Sequence, residues 1–258
     1  MAKRPQNVLH PDKGLTRRAF SALGVSLGAL GWLRPALADQ DAADLPGEVA
    51  GVAIPRSVVA ARAAGLARRS CPDYLFNHCM RTFLFGALAL RRQGLAYDAD
   101  RAFVAAALHD LGLLPAFASR SQSFEIDGAD EAERFARDAG MSASDADIVW
   151  HDVALHDGRF AITRRAGNEA MLVALGAGSD VVGPDLDTAD ERRQLNEVLA
   201  AFPRLQFKKR FTGLLADHCK RKPTSQRGTW LEGLCREQVP SAWTDRVEQD
   251  IANAPFSE

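Results

Sequence analysis

Arg101-Ala-Phe-Val-Ala-Ala-Ala-Leu-His-Asp-Leu-Gly112 decides the reading of this chain. It describes an alanine-rich helix that enters a core and stops at a glycine, with two polar residues, His109 and Asp110, at its inner end. An imidazole and a carboxylate buried side by side cost several kcal/mol unless they are paired, hydrogen-bonded or bound to a cation. A His-Asp dipeptide on its own reads most simply as a solvated helix end. Here it stands between an upstream His78 and a downstream Asp180, each in apolar, helix-like surroundings. His78, His109, Asp110 and Asp180 are therefore expected to ligate one metal ion.

Helical periodicity extends outward in both directions from this stretch. Pro55 opens a run to about Arg69, and Cys71-Pro72 breaks it. A second run, Tyr74 to Arg92, places Leu75, His78, Phe85 and Leu88 near one face, with Arg81 one turn beyond His78. The Ala99–Leu111 run is followed by Gly112 to Asp127 without clear periodicity, expected as a site loop, and then by a helix from about Ala129 to Asp138. Ser142 caps a helix expected to carry Trp150, His151 and His156 and to stop at Gly158. Further helices are expected at about 169–181, 188–201, 205–220, 229–237 and 243–252. Strand-like alternation has no convincing length anywhere, and no internal repeat stands out. The expectation is one all-α helical bundle.

The chain has 258 residues and 47% hydrophobic content, enough for one substantial core. Its N-terminus reads differently from the rest. Thr16-Arg17-Arg18-Ala19-Phe20 precedes an apolar, glycine-diluted stretch to Leu33 and a small-residue ending, Ala36-Leu37-Ala38. This is the pattern of a twin-arginine signal peptide over residues 1–38, cut before Asp39 and too short to span a membrane. Residues 39–54 are expected as a linker and 55–256 as the catalytic domain. The predicted destination is the periplasm or the exterior, through the twin-arginine export machinery, with no stable membrane insertion after cleavage. The first 38 residues hold six of the 32 Lys/Arg and one of the 33 acids, so the remainder carries 26 basic against 32 acidic residues, net −6. That balance argues against nucleic acid as a partner. The clusters Lys208-Lys209-Arg210 and Lys220-Arg221-Lys222 are read as solvated surface, and His218 as structural or exposed.

Four cysteines, at 71, 79, 219 and 235, show no C-x-x-C spacing, against a thiolate zinc site. The sequence leaves a Cys219–Cys235 bridge and buried free thiols equally open. Nitrogen and carboxylate donors suit zinc first, then iron, manganese or nickel. Two His and two Asp leave a position for water, whose pKa the ion lowers toward neutrality, so hydration or hydrolysis of a small molecule follows.

Five segments, in order, carry a resemblance: Asn77-His78-x-x-Arg81, Ala107-Leu-His-Asp-Leu-Gly112, Phe124-Glu-Ile-Asp-Gly-Ala129, Trp150-x-x-x-Ala-Leu-His156 and Ser179-Asp-Val-Val-Gly183. Over residues 55 to 225 the chain resembles the HD-domain superfamily, in its cyanamide hydratase-like branch. The resemblance implies an all-α HD fold, one divalent metal held by His78, His109, Asp110 and Asp180, and Arg81 as a bracing residue. It also implies that Glu125 and Asp127 orient a water or histidine from the loop after the dyad, and that His156 faces the substrate as a proton shuttle or orienting donor. His151 departs from the pattern. Five residues along one helix turn His156 about 140° from His151, so both cannot face one ion, and His151 is read as a surface residue. The alternatives are a metal-dependent phosphohydrolase, a dinuclear-iron oxygenase whose extra histidines lie farther apart than His151 and His156, and a non-catalytic metal- or ligand-binding protein. The absence of a compact basic pocket and the Phe-Glu-Ile-Asp-Gly segment favour hydration.

Overall fold

The computed structural model describes residues 45–157, 160–184, 186–244 and 252–253. The expected signal peptide lies outside the described residues, as does most of the helix expected at 243–252. The described chain forms an all-α bundle with one two-stranded hairpin. Its helices are α1 (Val58–Ser70), α2 (Asp73–Arg92), α3 (Ala99–Leu108), α4 (Phe124–Asp138), α5 (Ala143–Ala154), α6 (Phe160–Ala166), α7 (Asn168–Val182), α8 (Ala189–Ala201), α9 (Phe207–Arg221) and α10 (Glu232–Gln238). Short 3₁₀ turns cover Leu111–Leu113 and Pro240–Ala242. Polar side chains that satisfy the unpaired N–H groups at a helix start mark the boundaries: Ser57, Asp98, Ser123 and Ser142 each accept a hydrogen bond from a first-turn backbone N–H, and Thr188 with Glu191 closes a capping box.

The centre of the bundle is α2, α3 and α7. Every residue of α3 from Ala102 to Leu108 is buried, and so is every residue of α2 from Tyr74 to Leu90. A helix buried all round needs very small neighbours somewhere, and two glycines supply them. An added Cβ at Gly86 would lie 2.1 Å from the Leu172 carbonyl oxygen, and one at Gly176 would lie 1.9 Å from that of Thr82. Thus α2 and α7 run antiparallel with their backbones touching, residue 86 against 172 and residue 82 against 176. Gly112 and Gly128 do the same for α4, since a Cβ at Gly112 would meet the Phe124 carbonyl at 2.0 Å and one at Gly128 the His109 carbonyl at 2.7 Å.

Four expectations need correction. Residues 45–54 are not a loose linker: β1 (Glu48–Val49) pairs antiparallel with β2 (Val52–Ala53), burying Leu45, Val49, Val52 and Ile54 against the core. Ala50 and Gly51 make the turn with positive φ, and Arg91 donates to both of their carbonyls. The site loop is shorter than expected, because α4 starts at Phe124 rather than Ala129; Glu125 and Asp127 lie in its first turn. Helix α5 ends at Ala154, which puts His156 in the turn beyond it rather than on it. Lys222 is not solvated surface: it is buried, ion-paired with Asp127, and donates to the Gln122 carbonyl at 2.6 Å. His218, also fully buried, stands beside Ser225 and Gln226. The open question of the cysteines has an answer, since Cys219 and Cys235 are bridged and join α9 to α10, while Cys71 and Cys79 stay reduced and buried. Closing a loop of this size contributes about 3 kcal/mol in the chain-entropy picture.

Two predictions concern this framework. Gly176→Ala is expected to cost about 1–3 kcal/mol or more in urea unfolding, because the α2 carbonyl cannot move away, whereas Gly213→Ala, whose Cβ meets nothing within 4 Å, should stabilise α9 by up to about 1 kcal/mol. Burial, with the Glu169 charge nearby, pushes the Asp152 carboxyl up to about 8. Unfolded, it ionises near pH 4, so through the window from about 4 to 8 the unfolded chain releases a proton that the folded chain keeps, and stability falls as pH rises. Asp152→Asn should flatten that slope, raising the melting temperature at pH 8 and leaving it nearly unchanged at pH 4; thermal melts across the range check it.

Candidate metal centre

The α2–α7 seam explains how the centre is assembled. Its contacts step by one helical turn on each strand of the pair, from 86/172 to 82/176, and the next step brings His78 to Asp180. There, His78 Nδ1 and Asp180 Oδ2 are 2.7 Å apart, both side chains buried. Arg81, one turn along α2 and fully buried, donates from Nε to Asp180 Oδ1 at 2.8 Å and from Nη2 to Oδ2 at 2.7 Å. Its remaining Nη1 donates to the carbonyls of Phe202 and Pro203. Arg204 adds a contact to Asp180 Oδ1 at 2.7 Å. Burial works to raise the Asp180 pKa, but His78 and Arg81 overrule it and hold this carboxyl far below the usual carboxylate range.

Across from this seam, the end of α3 delivers the dyad. His109 caps the helix and its Nδ1 faces the Ala106 carbonyl at 2.9 Å, so Nδ1 carries the hydrogen and Nε2 presents a lone pair. The same logic applies to His78, whose Nδ1 hydrogen goes to Asp180. The two Nε2 atoms are 3.3 Å apart, and Asp110 Oδ2 lies 3.3 Å from one and 3.4 Å from the other. That oxygen is buried and accepts no hydrogen bond. Among the described residues, His78, His109 and Asp110 are the cluster of donors able to hold a metal ion.

A near-equilateral triangle of lone pairs is repulsive without a positive charge at its centre. Donors about 2.0–2.1 Å from a tetrahedral ion stand about 3.3–3.4 Å from one another, the spacing seen here, whereas neighbouring donors of an octahedral ion at that bond length are only about 3.0 Å apart. The titration behaviour of His109 and Asp110 agrees in sign, whereas that of His78 runs the other way because two carboxylates face its ring. Burial lowers the basicity of His109, taking its pKa down to about 3, and His78 has its own burial penalty outweighed by Asp110 and Asp180, so its pKa is raised. Asp110 is held down to about 2 by the two histidines in spite of burial. The residues fit a divalent cation.

Of the four expected ligands, the structure brings three together. Asp180 is not in the triangle: two arginines and His78 occupy its oxygens, so it orients the His78 ring and fixes its tautomer in the manner of a carboxylate–histidine–metal triad. His156 is adjacent to the centre, its ring edge-on to His109 with centroids 4.8 Å apart, and its Nδ1 is 2.6 Å from the Val153 carbonyl, leaving an Nε2 lone pair. Asp127 is turned away to Lys222. Glu125 is buried behind the centre, where Gln226 Nε2 donates to its Oε2 at 3.3 Å. His151 is on the exposed face of α5, its Nδ1 at 2.8 Å from the Asp147 carbonyl.

The centre opens into a cavity of about 310 Å³. Its polar end is made of the triangle, His156, Asp157 and Thr163; its walls are Phe124, Phe211 and the small and aliphatic residues of α7 from Ala174 to Val182, with Trp230 at the side. Among the described residues, no lysine or arginine lines the cavity. Asp157 and Trp230 were not anticipated. The signal for Asp157 was present, since His156-Asp157 repeats the dipeptide of the centre; Trp230 lies in an aperiodic segment. No protein-family model matches the chain, and no curated protein matches it.

Elemental analysis of purified variants tests this assignment. His109→Ala and Asp110→Ala are expected to lose stoichiometric metal. Asp180→Asn should bind one equivalent at saturation with affinity reduced about 10–100-fold; an empty Asp180→Asn protein at saturating metal would instead make Asp180 a direct ligand.

Proposed function

We propose that the chain is a metal-dependent hydratase or hydrolase of the HD type that adds water to a small, uncharged molecule, as the cyanamide hydratase-like branch does. The observation that carries this reading is the triangle of two imidazole nitrogens and a carboxylate oxygen at tetrahedral spacing beside an apolar-walled cavity. Zinc fits that spacing and that donor set best. When bound by His78 Nε2, His109 Nε2 and Asp110 Oδ2, the ion supplies a water whose pKa falls toward 7.

The chain's own residues do the rest. His156 Nε2, with its hydrogen committed to Nδ1, accepts the proton of the attacking water. Phe124, Phe211 and the α7 wall exclude bulk water and strengthen every polar contact at the closed end. Thr163 donates its hydroxyl hydrogen to the Leu155 carbonyl, which presents its lone pairs rather than a donor to the cavity. Phosphate recognition calls for guanidinium or ammonium groups. This cavity offers carboxylates instead, which repel a phosphoester and tolerate a neutral or hydrogen-bond-donating head group. Three converging donors also suit one ion rather than two irons.

The deciding experiment loads the purified protein with one equivalent of zinc and supplies cyanamide, short nitriles and p-nitrophenyl phosphate in parallel. Turnover of the nitrogen compounds, abolished by a chelator and restored by zinc, is the expected result. Turnover of the phosphoester alone overturns hydration in favour of phosphoryl chemistry. Binding of one metal with no turnover, while a ligand raises the melting temperature, would make this a binding protein.

A further inference from the structure

Two carboxyl groups at the closed end of the cavity remain once the metal donors and His156 have roles. Asp157 follows His156 in the turn after α5 and lines the cavity. Glu125, in the first turn of α4, is buried behind it. The two carboxyl groups are close enough for each to bear on the other's titration. No protein N–H or O–H donates to Glu125 Oε1 or to Asp157 Oδ2, and both atoms are shielded from solvent. Two ionised carboxylates have no hydrogen to share and repel strongly in an interior, so this contact requires one proton.

The neighbours keep that proton in place. Gln226 Nε2 donates to Glu125 Oε2, satisfying the outer oxygen in either charge state. His156 faces the pair from the α5 side and Asp110 from the end of α3, and the one buried ammonium of this region, that of Lys222, is taken by Asp127. Among the described residues, no basic group is therefore left to ionise both acids. Burial first, and the partner carboxyl second, push Glu125 up to about 8.

We propose that Asp157 and Glu125 hold a single proton between them at the edge of the cavity, and that Asp157 is a catalytic residue that delivers it to the substrate atom gaining a hydrogen. The proposal rests on the hydration reading. In addition of water to a C≡N group, the water O–H bond breaks with its proton passing to His156 Nε2. The oxygen bonds to carbon, one π pair moves to nitrogen, and nitrogen takes the proton of Asp157. His156 then returns its proton to the pair, and the imidic acid product tautomerises to the amide. Glu125 is a positioning residue here, since it reaches the substrate only through Asp157.

The test has two arms. Infrared difference spectra of zinc-loaded wild type at pH 7, against Glu125→Gln and Asp157→Asn, should show one protonated carboxyl C=O band that is lost in Glu125→Gln. Asp152 is protonated in all three proteins and cancels, so the absence of such a band from the difference spectra overturns the shared proton. In the kinetic arm, Asp157→Asn is expected to lower kcat on a nitrile about 100-fold or more while zinc content and KM stay close to wild type. An unchanged kcat overturns the catalytic role, and so does a fall accompanied by lost zinc. If wild type turns over no nitrile at all, the hydration reading fails and with it the delivery step, while the infrared arm still decides the shared proton.

Discussion

The carboxylate of Asp180 is the interaction on which the rest of the centre depends. It sits where three segments meet, accepting from Arg81 on α2, from Arg204 after α8 and from the His78 imidazole. A carboxylate buried so deeply is costly alone, and removing one partner from such a group is typically worth about 3–5 kcal/mol. Because Arg81 also holds the carbonyls of Phe202 and Pro203, the same cation that neutralises Asp180 anchors the chain leading into α9. That helix brings Phe207 to stack on the His78 ring and Phe211 to the cavity wall. Ring orientation, tautomer and wall thus share a common origin.

Much of this was legible before any coordinates. The alanine-rich run into the dyad, the Ser142 cap and the inward face of α2 follow from local rules of capping and periodicity, and they placed His78 and His109 on converging elements, although the helix stops at Leu108 and Gly112 lies in the 3₁₀ turn beyond it. Other features were hidden for physical reasons. The start of α4 was masked because Glu125 and Asp127, both polar, are buried in its first turn, which erases the apolar stripe that periodicity detects. The hairpin over 48–53 is too short for alternation to register. Lys222 belongs to a charged run whose other members, Lys220 and Arg221, are exposed, so composition alone assigns it to solvent.

Asp180 is the most instructive case. Sequence pattern placed it correctly next to His78, but whether a carboxylate binds an ion or holds a binder depends on what occupies its other lone pairs. Arg204 comes from a turn 24 residues on, and no spacing rule connects it to Asp180. Gly86 and Gly176 were the readable clue to the pairing. They stand eight residues after His78 and four before Asp180, at helical multiples, and a glycine inside a fully apolar helix costs about 1 kcal/mol against alanine unless closeness repays it.

That closeness has a consequence for ion choice. Side chains adjust by changing rotamer, but backbones already in van der Waals contact cannot approach further, and withdrawal would open a void along the whole α2–α7 seam. The His78 donor is carried by this rigid joint, and the His109 donor by a helix end locked against α4 through Gly112 and Gly128. The aperture between them is consequently set by the main chain. On the proposed zinc reading, a larger ion such as calcium, with bonds of about 2.3–2.6 Å and six to eight oxygen neighbours, would meet two helix joints that resist parting.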